Sequence, residues 1–323
     1  MSTDASPGWH LSALDLPARW REREAFVIFD EVFSAVRFAA TCAEFERASG
    51  GCRRLHYLAV VPLGASAPQP LLESPATWAP VQRELAAQWP LSLSGIHLLE
   101  LCAGRVPLLL AFGESGAQTR LFDAVCDAFF LHGNTQTPPS ALARLARTGS
   151  VFALDCGSAE RAEVLTASGF AITQSLPEGN YTGRFRVQKR SPKPRMPGPP
   201  WPQRSAIVIG AGLAGTAVAA SLAKRGWSIS LLEREAVPAA GASGNLAAVF
   251  SPLLSLDDGR AARLSRACFL RLLQELRSLE LTAHPAQWQE CGVLQLPKSA
   301  SEETQFRNLG LRHAYPERYV RFR

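Results

Sequence analysis

Apolar residues fall along the chain in runs of strand length, separated by segments with helical spacing. "AFVIF" (Ala25–Phe29) precedes a helical pattern running through Glu44–Arg47, and "LHYLAVV" (Leu55–Val61) reads as the next strand. "TWAPVQRELAAQW" (Thr77–Trp89) predicts a helix, and "IHLLEL" with "VPLLLAF" predicts a hairpin turning at Gly104. "AFFL" (Ala128–Leu131) reads as a buried strand, "PSALARLAR" as a helix, "SVFAL" as a strand, and "SAERAEVLTASG" as a helix ending at Gly169. Such alternation predicts an α/β fold with a mostly parallel sheet covered by helices.

The alternation stops at "RFRVQKRSPKPRMPGPPWPQR" (Arg184–Arg204), which is dense in proline and basic residues and holds no acid. Proline fixes φ and lacks an amide donor, so this segment predicts a stiff linker. Its cations are also candidates for phosphate contact. The pattern then restarts: Ile207–Ile209 as a strand, Ala214–Arg225 as a helix, Ile229–Glu233 as a second strand. "RAARLSRACFLRLLQELRSLE" predicts an amphipathic helix with Leu264, Cys268, Leu272 and Leu276 on one face and a solvated arginine face. The expected organisation is a domain over 1–187, a linker over 188–203 and a second domain over 204–323.

Composition agrees with this picture. The 323 residues have room for about two domains. The 47% hydrophobic and 19% charged content fits a globular protein with a substantial core. No apolar run is long enough to span a bilayer, and "MSTDASPGWH" lacks a signal-peptide pattern, so a cytoplasmic location is expected. The seven cysteines are scattered with no C-x-x-C pair, which predicts reduced, mostly core thiols and no metal site. The net charge of +6 weakly favours a polyanionic partner such as RNA. His10, His56, His97, His284 and His313 read as structural or exposed, and Asp257 and Asp258 as charge stabilisation ahead of the long helix.

The strongest chemical signal is Gly210, Gly212 and Gly215, a G-x-G-x-x-G between the strand "AIVI" and a small-residue helix. Gly210 permits the tight turn, Gly212 lets a pyrophosphate approach the backbone, and Gly215 lets helix and strand pack closely. The helix N-terminus offers amides and partial positive charge to phosphates. Glu233, at the end of the second strand, is placed to accept hydrogen bonds from ribose hydroxyls. "PAAGASGNLAAVFSPLLS" (Pro238–Ser255) follows where an NAD-binding unit usually enters another helix. The Gly-Ala-Ser-Gly loop there resembles the second flavin contact of amine-oxidising flavoproteins, which implies that Ser243 and Gly244 meet the phosphate or ribityl chain and makes FAD the expected cofactor.

The wording of the chain is similar to one family. "PARWREREAFVIFD", "RLHYLAV", "GRVPLLLAFGES", "DAFFL", "VIGAGLAGTAVAASLAKRGW", "GASGN" and "ARLSRACFL" resemble the bifunctional tRNA wobble-uridine modification proteins of the MnmC type. The resemblance covers nearly the whole chain and implies two Rossmann-like domains, the first methyltransferase-like and the second of the glycine oxidase type. It implies FAD-dependent removal of the carboxymethyl group from 5-carboxymethylaminomethyl-2-thiouridine at the wobble position of tRNA. Methylation with S-adenosylmethionine then gives the 5-methylaminomethyl product. For FAD, Gly210, Gly212, Gly215, Glu233, Ser243 and Gly244 match the family pattern, whereas Leu246 and Ala248 replace its proline and glycine.

The methyltransferase-like half departs at its centre. The family's glycine-rich loop falls on "EVFSAVRF", with Val32, Ser34 and Val36 at glycine positions. β-Branched residues there resist φ > 0 and hold a ligand off the backbone. The acid that the family carries after the second strand falls on Val61, the aspartate expected near the reacting amine falls on His132, and the family's phenylalanine falls on Asn134. A degenerate S-adenosylmethionine site is therefore expected. The second half stops at "AYPERYVRFR", before a flavin-ring pocket is expected. Two readings stay open: a working FAD-dependent oxidoreductase, or a truncated, inactive fragment that retains at most tRNA or adenosine-end FAD binding.

Overall fold

The computed structural model describes residues 8–21, 23–69, 75–186, 204–280, 288–313 and 315–322. After two short helices, α1 (Trp9–Ala13) and α2 (Leu16–Arg21), strand β1 (Ala25–Asp30) enters the centre of a sheet. Then come α3 (Ala35–Ala48), β2 (Arg54–Val61), α4 (Ala79–Gln88), β3 (Gly95–Leu101), β4 (Val106–Phe112) and α5 (Ser115–Thr119). They are followed by β5 (Cys126–His132), α6 (Pro139–Leu145), β6 (Ala146–Asp155), α7 (Ala159–Ala167), β7 (Phe170–Leu176) and β8 (Asn180–Phe185). The eight strands lie in the order β3-β4-β2-β1-β5-β6-β8-β7.

The α/β expectation holds, and the sheet is mixed. The pairs β1–β2, β1–β5, β2–β4 and β5–β6 are parallel; β3–β4, β6–β8 and β7–β8 are antiparallel. The predicted hairpin is present, with Gly104 at φ +78. Sequence reading missed β7 and β8, and Arg184 and Phe185, assigned to the linker, lie in β8. Segment 188–203 falls outside the described residues.

Strand periodicity sorts the core into two layers. Phe26, Ile28, Tyr57, Ala59, Leu108, Leu110, Ala128 and Phe130 face one side, with Phe38, Cys42 and Phe45 of α3. Phe29, Leu58, Val60, Phe129, Leu131 and Phe152 face the other, with Leu142 of α6 and Leu165 of α7. Among the cysteines, Cys42, Cys52 and Cys126 are buried and the rest are partly or fully exposed, so fewer are core thiols than expected; all seven are free.

By internal packing the described residues up to 186 form one compact unit with those from Pro252 onward, and 204–251 form another. The second contains β9 (Ser205–Ile209), α8 (Leu213–Ala223) and β10 (Ser228–Leu232), and its two strands pair in parallel. The first also holds α9 (Arg260–Glu280) and α10 (Ala300–His313).

Helix α9 does not present the face its periodicity suggests. Leu264 is 67% exposed, Cys268 and Leu272 are also exposed, and Arg266 is only 4% exposed. The reason is charge pairing. Asp258, just ahead of the helix, accepts from Arg266 at 2.6 Å and Arg263 at 3.2 Å, so the guanidinium is buried with its counter-ion. Arg271 reaches Glu100 of β3 at 2.7 Å, and Gln274 donates to the Gln88 carbonyl at 3.1 Å. Asp258 thus works through side-chain pairs rather than the helix dipole alone. Among the described residues, no helix is long and apolar enough to cross a membrane.

His10 of α1 is 3% exposed, its ring edge-on to Phe130 at 4.5 Å. Burial, with the nearby Arg37 charge, lowers its pKa from 6.5 to about 3. Above 6.5 both folded and unfolded chains hold it neutral. As pH falls below 6.5 the unfolded chain takes up a proton that the folded one refuses, so stability drains until about pH 3. Between pH 6.5 and about pH 5, His10 is expected to cost about 2 kcal/mol of stability. Urea unfolding of the wild type and His10→Phe across this range checks it: the variant is expected to lose that slope, and an unchanged slope contradicts the assignment.

Candidate functional site

The first candidate site grows from the β9–α8 turn. Gly210 has φ +97, and its amide donates to the Leu232 carbonyl at 2.7 Å, so the turn is tied to the end of β10. A Cβ at Gly215 would collide with the Gly210 carbonyl, so only glycine lets α8 lie this close to β9. At Gly212 a Cβ would stand 2.8 Å from Ser243 Oγ, where the loop approaches the helix N-terminus. Glu233 follows β10 and turns back, its Oε2 accepting from the Ala211 amide at 2.7 Å. Its Oε1 accepts from the amides of Arg234 and Glu235. These bonds, that from Ala211 foremost, hold the Glu233 carboxyl below its ordinary pKa and keep it an anion.

The 238–244 loop folds onto the same turn. Ala239, at φ 58, donates its amide to the Ala211 carbonyl at 3.1 Å. Ser243 Oγ accepts from the Leu213 amide at 3.1 Å, capping the first turn of α8. A Cβ at Gly244 would strike the Ala239 carbonyl. The structure therefore brings together all six residues singled out from sequence: Gly210, Gly212, Gly215, Glu233, Ser243 and Gly244. Ala211 and Ala239, which take part only through their backbone, left no signal in the sequence. Leu246 and Ala248 are exposed and stand clear of these contacts. An adenosine diphosphate needs close backbone approach, helix N-terminal amides and a carboxylate, and this cradle offers all three.

The second candidate site lies where the strand order reverses, between β1 and β5; ligands of open α/β sheets bind at the carboxyl ends of strands there. Here β1 ends in Asp30, with Glu31 next, and both are fully buried. Asp30 faces α3, where Arg37 grips it through Nε at 3.3 Å and Nη2 at 2.8 Å. The same guanidinium reaches Asp155 at 2.6 Å and the Val32 carbonyl at 2.8 Å. Tyr57 adds its hydroxyl to Asp30 at 2.7 Å. Glu31 faces the opposite layer, accepting from Arg161 of α7 at 3.0 Å, Thr135 Oγ1 at 2.6 Å and the His132 amide at 2.9 Å. Burial raises the Asp30 and Asp155 carboxyls, with Arg37 opposing it. Arg37 stays a firm cation: burial works against its charge, and Asp30, Tyr57 and Asp155 outweigh that.

His132 does not stand as a ready base, because its Nδ1 accepts from the Asn134 amide at 3.2 Å. Val61 is buried, and its carbonyl accepts from the Gly113 amide at 2.8 Å. Sequence reading noticed the missing glycines and missed Asp30, Glu31, Arg37, Asp155 and Arg161. The adjacent acids at a strand end, with an arginine in the first turn of the next helix, were the available signal.

Truncating Arg37 to alanine would leave Asp30 buried beside Asp155 without its cation. The expected cost is about 3–5 kcal/mol, read as a lowered urea midpoint at neutral pH. A loss within about 0.5 kcal/mol would show the bridge to be dispensable.

Residues 205–321 match the family model described as FAD dependent oxidoreductase (DAO). A relative from Azoarcus sp. (strain BH72), named tRNA 5-methylaminomethyl-2-thiouridine biosynthesis bifunctional protein MnmC, is 35% identical over 97% of this chain and 51% of its own length. Relatives of the same name from Burkholderia orbicola (strain MC0-3) and Thiobacillus denitrificans (strain ATCC 25259 / T1) are 38% and 35% identical. They cover 91% and 99% of this chain and 47% and 54% of their own. The chain spans about half the length of the curated relatives it matches. A solved structure, MNMC2 from Aquifex aeolicus, is similar at 15% identity and a TM-score of 0.40, over 56% of this chain and 57% of that one. This likeness runs along nearly all of the chain's residues and matches them to about half of a tRNA 5-methylaminomethyl-2-thiouridine biosynthesis bifunctional protein MnmC.

Proposed function

We propose that this chain serves the FAD-dependent oxidative step of tRNA wobble-uridine modification: removal of the carboxymethyl group from 5-carboxymethylaminomethyl-2-thiouridine. The observation that carries the reading is the cradle of Gly210, Gly212, Gly215, Glu233, Ser243 and Gly244, lying within the segment that matches an FAD-dependent oxidoreductase family. When bound, FAD supplies the two-electron acceptor for oxidation of a carbon–nitrogen bond.

The chain's own residues have assignable tasks in this reading. The first turn of α8 has amides without partners inside the helix, and these would hold a pyrophosphate. Ser243, now capping Leu213, would turn its hydroxyl to the same phosphates. Glu233, already an anion, would accept from the ribose. The partner is tRNA, whose anticodon loop presents a base outside a duplex, and the net charge of +6 supports such a polyanionic partner. The reading keeps the methyltransferase-like domain at 1–187, the basic linker at 188–203, the oxidoreductase portion at 204–323, and a cytoplasmic location.

The test is a visible absorption spectrum of the purified chain after incubation with FAD and desalting, followed by an assay on hypomodified tRNA. A flavin band retained with the protein is expected. Gly215→Ala, which pushes α8 off β9, is expected to weaken flavin retention by more than about tenfold. A folded wild-type chain that retains no flavin would overturn the proposal.

A further inference from the structure

The family resemblance brings S-adenosylmethionine with it, and the residues at the β1–β5 crevice do not fit that group. We propose that two arginine clamps, Arg37 on Asp30 and Asp155, and Arg161 on Glu31, close this crevice from within, so that the N-terminal domain takes no S-adenosylmethionine and transfers no methyl group. The inference stands on the N-terminal domain alone and is independent of flavin binding.

Three requirements of such a ligand are unmet. The first is close approach to the β1–α3 turn. None of residues 31–36 has the left-handed backbone that a glycine cradle uses. The turn is instead fastened to its surroundings: the Phe33 amide donates to the Val60 carbonyl at 2.9 Å, and the Phe33 ring packs on Phe38 and Trp89. Ser34 Oγ accepts from the Arg37 amide at 3.3 Å, so an amide that a ligand would seek is already capped.

The second is a carboxylate for the ribose. The end of β2 offers the buried methyls of Val61, and the nearby carboxylates are committed to arginines. The third is room. The Arg37 guanidinium already stands in the crevice, 5.5 Å from the Phe130 ring centroid and held there by Asp30 and Asp155. Arg37 and Arg161 come from helices on opposite layers, so the crevice is filled from both sides of the sheet.

The test uses the whole chain and reads binding directly. Equilibrium dialysis against millimolar S-adenosylmethionine is expected to give no saturable uptake. Hydrogen exchange of a peptide spanning Glu31–Phe38 is expected to be the same with and without it. Saturable uptake displaced by S-adenosylhomocysteine, or slowed exchange in that peptide, would sink the proposal. Arg37→Ala is expected to speed exchange of that peptide more than of β5 or β6. Where the alanine variant does not fold, Arg37→Lys, which keeps the charge and loses the fork, is expected to give a smaller local acceleration. Exchange unchanged by the folded variant would show that Arg37 does not hold the crevice shut.

Discussion

Two carboxylates at the end of one strand set the terms for the large sheet. Asp30 and Glu31 are fully buried, and a buried anion without a partner is too costly to keep. Being consecutive, they leave β1 toward opposite layers, so no single cation can serve both. Arg37 answers from α3 and Arg161 from α7. The ion pairs therefore tie a helix from each layer to the central strand, at the point where the strand order reverses. Asp155 and Tyr57 bring the end of β6 and the middle of β2 into the same arrangement.

Much of this fold was legible in the sequence, because its strands are short apolar runs whose side chains alternate between two filled layers. The strand pair β7–β8 was not, since β7 reads "FAITQSL" and exposes its central polar residues, leaving neither a run nor a clean alternation. Helix α9 misled for a different reason. A periodicity argument treats arginine as a surface residue, and Arg266 is buried because Asp258 lies within reach. The glycine cradle was readable down to individual residues, since its geometry comes from local constraints on φ and on Cβ. Of the arginine clamps, the Arg37–Asp30 pair, 7 residues apart, left a local trace, whereas Arg37–Asp155 and Arg161–Glu31 join residues 118 and 130 apart, and no local pattern carries that information.

The two strand-to-helix turns show what one architecture does under opposite demands. At Gly210–Gly215 the absence of side chains lets a helix N-terminus approach a strand and leaves room for a ligand at their junction. At Val32–Val36 side chains and ion pairs take up that room, and the same strand and helix persist as packing. Strand and helix patterns survive because the core needs them, whereas the turn between them is free to change with its task.

The opposed directions of Asp30 and Glu31 give the crevice an evolutionary ratchet. Removing either arginine first strands a buried carboxylate, and removing Glu31 first strands the Arg161 guanidinium. Each such intermediate forfeits about 3–5 kcal/mol from a total that for most domains is only about 5–15 kcal/mol. A lineage that has closed the crevice this way must spend a large share of its stability at most first steps toward reopening it.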